Sequence, residues 1–214
     1  MGFNVSGLAV NKNFKNNFNE LQEKLGWYLE EDSEITFEEA SSNYKDENIC
    51  DVYFSEKGTL LLVSIDKCNR SYPIENLDSL SFALSETAMA FSLNYCKNGR
   101  LKREIMEVNG ERFTNEGEAL KVEEKSTDAS VTIWNQMGVV LGKEFWDIGQ
   151  DEKAMRYKFI SKGEYDKKNV KQTEKEEDLR REVRNEMKPV KLDNIKSKEK
   201  LTDKPKKNWW EFWK

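Results

Sequence analysis

One tetrapeptide, Lys97-Asn98-Gly99-Arg100, restricts the fold more than any other feature of this 214-residue chain. An Asn-Gly pair favours the two consecutive positive φ angles of a tight hairpin turn, which joins antiparallel strands. Residues 89–95, just before it, alternate between large apolar and small or polar side chains. The sequence therefore predicts a β-hairpin here, with residues 101–108 as the return strand.

Other segments also have the alternation of strands. In residues 3–10 the large apolar side chains fall at odd positions before Gly7 and at even positions after it. This shift predicts a strand with a β-bulge at Gly7, which would return all of them to one face. Residues 50–54 and 59–65 read as a second hairpin, with Gly58 supplying a positive φ in its turn. A further Asn-Gly pair at 109–110 predicts another turn, and residues 155–159 alternate as a closing strand.

Two segments have the periodicity of helices. Residues 14–25 place apolar side chains at spacings of four, three and four, and Gly26 follows as a C-cap. Residues 128–141 begin at an acidic N-cap and end at Gly142, although their Val, Thr and Ile content also suits a strand. We favour a helix because the run exceeds ten residues. The predicted fold is α+β, an antiparallel sheet meander with flanking helices.

The charge divides the chain near residue 160. Residues 1–160 carry 18 basic and 28 acidic side chains, a net charge of -10, whereas residues 161–214 carry 17 and 12, a net charge of +5. Apolar residues are dense only in the first part, so only that part can bury a core. We predict an acidic domain over 1–160, a charged helix over 161–187 and a basic flexible tail over 188–214.

The absence of histidine removes several classes of chemistry. With no His among 214 residues, His-based acid/base catalysis and His-ligated metal sites are excluded. No Gly-rich phosphate loop and no EF-hand loop occurs, and Ser85 has no recognisable activating base. Three widely spaced cysteines, Cys50, Cys68 and Cys96, indicate buried reduced thiols. We predict a protein without catalytic activity, cofactor or metal.

Two segments are candidate partner-binding sites. The first is an acidic block between residues 30 and 39, which reads either as a solvated face or as a partner-binding patch. Its carboxylates are Glu30, Glu31, Asp32, Glu34, Glu38 and Glu39. The second is an aromatic cluster at the C-terminus, preceded by lysines. Its aromatic residues are Trp209, Trp210, Phe212 and Trp213, and the lysines are Lys204, Lys206 and Lys207.

Three uses of the C-terminal aromatic cluster remain open from the sequence. It can enter a groove on a partner protein, seat its rings at lipid headgroups with the lysines on anionic lipid, or dock on its own domain. Nucleic acid is not expected as a partner, because a domain at -10 repels phosphate. The oligomeric state cannot be deduced from these patterns.

The opening residues 2–14, Gly-Phe-Asn-Val-Ser-Gly-Leu-Ala-Val-Asn-Lys-Asn-Phe, precede the helix that ends at Leu25-Gly26. Together with residues 84–91 and their Asn-Gly hairpin, they resemble small bacterial α+β proteins of the polymorphic-toxin immunity type. The resemblance covers residues 1–160. It implies a non-enzymatic protein that binds and blocks a cognate toxin, and it carries over no individual site residue.

The sequence therefore predicts a non-catalytic binding protein whose acidic domain engages a partner protein with a basic surface. The alternative is a peripheral membrane or scaffold protein anchored by the Lys- and Trp-rich tail. The first ten residues have no basic region, so we expect a cytoplasmic protein, held at the membrane surface in the alternative reading.

Overall fold

A computed structural model describes residues 3–42, 45–126 and 128–167, all within one compact unit, Met1–Asn169. These residues form a nine-stranded antiparallel sheet with helices packed against it. The strands are β1 (Asn4–Val10), β2 (Leu29–Thr36), β3 (Ile49–Phe54), β4 (Thr59–Val63), β5 (Ser79–Ser85), β6 (Ala90–Lys97), β7 (Arg100–Val108), β8 (Glu111–Gly117) and β9 (Lys153–Phe159). The helices are α1 (Phe18–Leu25), α2 (Phe37–Ser41) and α3 (Ala129–Leu141), with 3₁₀ helices at Ile65–Lys67, Lys121–Lys125 and Phe145–Asp147.

The strand order in the sheet is β2-β9-β3-β4-β1-β5-β6-β7-β8. This confirms an antiparallel α+β architecture. The predicted meander describes β5 to β8 but not the whole sheet, because β1 inserts between β4 and β5 and β9 inserts between β2 and β3. Both insertions are long-range pairings, which the local alternation of a sequence does not encode.

Both faces of the central sheet are covered, and this corrects the predicted bulge at Gly7. Val5 and Ala9 face the core that contains α2 and α3, whereas Leu8 and Val10 face the core that contains α1. Strand β1 pairs in unbroken register with β4 and β5. A strand buried on both faces needs apolar residues at both parities, so the shift at Gly7 required no bulge.

Gly58 has a different role from the predicted one. Its φ is not positive, so it does not supply a left-handed turn residue. A Cβ at this position would lie 2.8 Å from the Leu141 Cα and 2.9 Å from the Val10 carbonyl oxygen. The glycine is therefore needed where the β3–β4 turn meets β1 and the end of α3, a tertiary contact that the local sequence does not reveal.

The helices and the remaining turns follow the sequence more closely. Helix α1 ends at the left-handed Gly26, as predicted, but begins at Phe18, and Phe14 is buried in the turn before it. Helix α3 is confirmed: Asp128 accepts a hydrogen bond from the Val131 N–H at 3.0 Å. Asn98-Gly99 and Asn109-Gly110 both have positive φ angles and join β6 to β7 and β7 to β8.

Several predictions concern residues outside the described ranges. These include residues 168–187 of the predicted charged helix, whose first part is helical at 162–167, and the 188–214 tail with its lysines and aromatic residues. Both stay predictions. Within the described ranges, no helix has the length and apolar character needed to cross a bilayer.

Candidate partner-binding edge

The structure brings the acidic block together at one edge of the sheet. Glu30, Glu31, Asp32 and Glu34 lie in β2, and Glu38 and Glu39 lie in the first turn of α2. Among the described residues, β2 is a terminal strand of the sheet and pairs on one side only, with β9. Its five residues from Glu30 to Glu34 are all exposed. We call β2 together with α2 the acidic edge.

Cations on β9 fix part of the acidic edge. Lys158 pairs with Asp32, and Lys153 lies 2.8 Å from the Glu34 carboxylate. The hydrogen bond from Lys158 holds the pKa of Asp32 below its usual value. The register shifts between Glu31 and Ser33, so Asp32 is the extra residue of a β-bulge. Such a bulge re-aims side chains and disrupts regular pairing along an edge.

Helix α2 begins with a reciprocal capping box. The Glu39 carboxylate accepts a hydrogen bond from the Thr36 N–H at 2.9 Å, and the Thr36 hydroxyl accepts one from the Glu39 N–H at 3.2 Å. The backbone hydrogen bond from Thr36 lowers the pKa of Glu39. Glu39 is therefore occupied in holding the helix terminus, whereas the neighbouring Glu38 side chain faces solvent.

A buried ion-pair cluster lies on the two strands next to β2, β9 and β3. Asp51 of β3 is fully buried, and its carboxylate lies 2.9 Å from the Lys45 Nζ. Arg156 of β9 donates two hydrogen bonds to the same carboxylate, at 2.8 and 2.9 Å. Lys45 also donates to the Glu39 carbonyl oxygen in α2. The Asp51 carboxylate thus joins β3 to β9, the neighbour of β2, and through Lys45 also joins β3 to α2.

An exposed tryptophan is a feature that sequence reasoning missed. Two adjacent aromatic residues differ in exposure: Phe145 is buried, whereas Trp146 is 62% exposed. The Trp146 ring lies 5.8 Å from Phe3, 5.0 Å from Trp134 and 5.2 Å from Phe145. Both residues lie in the short 3₁₀ helix Phe145–Asp147, and no local sequence pattern indicates which ring is exposed.

The candidate nucleophiles are held by ordinary structural contacts. The Ser85 hydroxyl donates to the Asn4 side-chain oxygen at 2.6 Å, and that amide oxygen is no general base. Cys50, Cys68 and Cys96 are buried and unbridged. Burial raises the pKa of Cys68 to about 12 and that of Cys50 well above its usual value, which keeps these thiols protonated and unreactive.

The strongest shift of a carboxyl pKa belongs to Glu152, just before β9. Lys143 donates to its carboxylate at 2.6 Å, Tyr53 donates at 2.6 Å, and the Gly149 N–H donates at 2.9 Å. These hydrogen bonds, that from Lys143 foremost, lower the pKa of Glu152 to about 2. A carboxylate so fully engaged closes the loop between α3 and β9. Among the described residues, no group of His, Cys, Asp or Glu is arranged to hold a metal ion.

No protein-family model, curated protein or solved structure matches this chain. Function is therefore inferred from the residues of the chain itself.

Proposed function

We propose that this protein is a non-catalytic binding protein whose acidic edge engages a basic surface on a partner protein. The observation that carries the proposal is the position of Glu30, Glu31, Asp32 and Glu34 on a strand that has, among the described residues, no neighbouring strand on its outer side. Complementary charge of this kind raises association rates and orients an encounter. The immunity-type resemblance of residues 1–160 agrees with such a role.

The supports of the acidic edge make it a prepared surface. Lys158, Lys153 and the Thr36–Glu39 capping box hold the side chains of Asp32, Glu34 and Glu39, and Asp51 holds the neighbouring strand β9 through Arg156. Binding to a surface whose side chains are already held in place costs less side-chain entropy than binding to a surface of mobile side chains. The low pKa values of Asp32 and Glu39 keep both groups charged at neutral and mildly acidic pH.

Docking on the acidic edge occurs through side chains rather than by addition of a strand. The bulge at Asp32 interrupts the regular spacing of the β2 backbone, and charged edge residues oppose the approach of a further strand. The proposed partner is consequently a folded protein that presents Lys and Arg side chains, and not an extended apolar peptide.

The test uses the purified product of the neighbouring gene as the partner, with association rates measured by biolayer interferometry at about 20 and about 200 mM salt. In the test variant Glu30, Glu31, Glu34 and Glu38 are changed to Gln, while Asp32 and Glu39 remain. We expect association to slow about tenfold at low salt, with a smaller difference at high salt.

A matched control loses the same charge elsewhere on the domain. The control substitutions are Glu23→Gln, Glu56→Gln, Glu75→Gln and Glu111→Gln, all at exposed positions. We expect this variant to lose much less of the association rate than the edge variant. Equal slowing of both variants would assign the effect to net charge, and an unchanged rate in the edge variant would remove the acidic edge from the interface.

A further inference from the structure

A second charged surface, of opposite sign, lies far from β2 in the strand order. It is an open cleft of about 1150 Å³. Four segments line it: the turn at Asn76 before β5, the β6–β7 hairpin, residues 118–125 after β8, and one side of α3. Tyr95, Gln136 and Leu120 contribute its less exposed surface. We call this feature the basic cleft.

The basic cleft concentrates positive charge on an otherwise acidic domain. Its cationic residues are Lys97, Arg100, Lys102, Lys121 and Lys125, and its acidic residues are Glu118 and Glu124. Lys102 lies 3.7 Å from Glu118. The other four cations form no ion pair with any residue in the described ranges. Cations gathered without ion-pair partners repel one another, and an anionic ligand would relieve that repulsion.

Buried contacts hold the segments that line the basic cleft. Arg103, only 4% exposed, donates two hydrogen bonds of 2.8 Å to the Glu123 carboxylate, which ties the Lys121–Lys125 helix to β7. On the other side, the Asp78 carboxylate accepts hydrogen bonds from the Tyr95 hydroxyl at 3.0 Å and the Asn98 N–H at 2.9 Å. The free cations thus project from a fixed frame, as expected of a prepared binding surface.

We propose that the basic cleft binds a segment of a partner protein that is rich in Asp and Glu. The volume of the basic cleft exceeds the usual range for small-molecule sites, about 300–1,000 Å³. Most of its cations are exposed. The cleft therefore suits an extended ligand. Leu120, Val122 and Val139 offer apolar contacts, and the Asn76, Asn98 and Gln136 amides offer peptide-type hydrogen bonds.

Two features favour a peptide over a nucleic acid strand. Sequence-tolerant binding of single strands depends on exposed aromatic rings on which bases stack. The one aromatic residue lining the basic cleft, Tyr95, is 6% exposed, and its hydroxyl is bonded to Asp78. In addition, the acidic remainder of the domain repels a long polyphosphate backbone, whereas a short acidic segment can end within the cleft.

The test is fluorescence anisotropy of the full chain with labelled hexaglutamate, in competition with unlabelled tripolyphosphate, oligothymidylate and hexalysine. The cleft variant carries Lys97→Gln, Arg100→Gln, Lys121→Gln and Lys125→Gln. The control variant carries Lys15→Gln, Lys57→Gln, Lys162→Gln and Lys167→Gln, which remove the same charge at exposed positions elsewhere. Circular dichroism verifies that both variants fold.

We expect saturable binding of hexaglutamate that weakens with salt, falls about tenfold or more in the cleft variant and changes less than about twofold in the control variant. Absence of saturable binding, or equal loss in both variants, would overturn the proposal. Stronger competition by tripolyphosphate or oligothymidylate than by unlabelled hexaglutamate would instead assign the cleft to a phosphate ligand. Salt-dependent self-association abolished by the cleft substitutions would assign it to a second copy of this chain.

Discussion

Replacing Asp51 with Asn tests whether the buried ion-pair cluster supports the acidic edge. Asn preserves the size of the side chain but removes the charge that faces Lys45, itself 6% exposed, and Arg156. Leaving a buried cation without its partner costs about 3–5 kcal/mol. Because a domain has about 5–15 kcal/mol of stability in total, this single substitution should remove about a fifth of it or more.

Urea denaturation followed by circular dichroism measures this loss. With a denaturant slope of about 2 kcal/mol per molar, we expect the midpoint of Asp51→Asn to fall by about 1.5–2.5 M. The matched control is Glu34→Gln, which breaks an exposed ion pair of the same edge, with Lys153 78% and Glu34 54% exposed. Its cost should stay below about 1 kcal/mol. A loss below about 1 kcal/mol in Asp51→Asn as well would refute the assignment of Asp51 as the anchor.

Three further outcomes follow. Gly58→Ala should lower the free energy of unfolding by about 1–3 kcal/mol, because the added Cβ meets backbone atoms. Gly163→Ala is the control, since a Cβ there meets open space. Thermal unfolding of the two variants measures the difference. The pKa of Glu152, about 2, lies below its value of 4.5 in the unfolded chain, so the stability that Glu152 contributes is lost as the pH falls from about 4.5 to 2. Glu152→Gln should therefore flatten that part of the acid-denaturation curve. Deleting residues 204–214 should abolish co-sedimentation with anionic vesicles if the tail is a membrane anchor, and equal binding of both chains would exclude it.

Local features of the fold were predictable because local chemistry determines them. Asp128 caps α3 through a bond to a residue three positions away, and Asn98-Gly99 turns the chain within two residues. Such signals need no knowledge of distant contacts. The alternation of β9 was recognised for the same reason, since Tyr157 is buried and Lys158 is exposed.

The features that depend on distant contacts were not predictable in the same way. Strand β9 lies between β2 and β3 only because residues more than 100 positions apart pair, as Asp51 does with Arg156. A sequence shows Asp51 as one more acidic residue and gives no indication that it is fully buried. The lysines of the basic cleft likewise come from separate segments, and their proximity depends on the sheet order and on the packing of α3.

The sheet order also separates the two charged surfaces, and this bears on how they would act together. Strand β2 lies six to eight strands away from β6, β7 and β8 in the order, which at about 4.8 Å per strand corresponds to about 29–38 Å. Electrostatic interactions between exposed charges are largely screened beyond about 8–10 Å at physiological salt. Charge changes at the acidic edge should therefore leave hexaglutamate binding at the basic cleft unchanged, and the combined variants should be additive. A single partner that contacts both surfaces would have to span that distance, and would then show coupling between the two sets of substitutions.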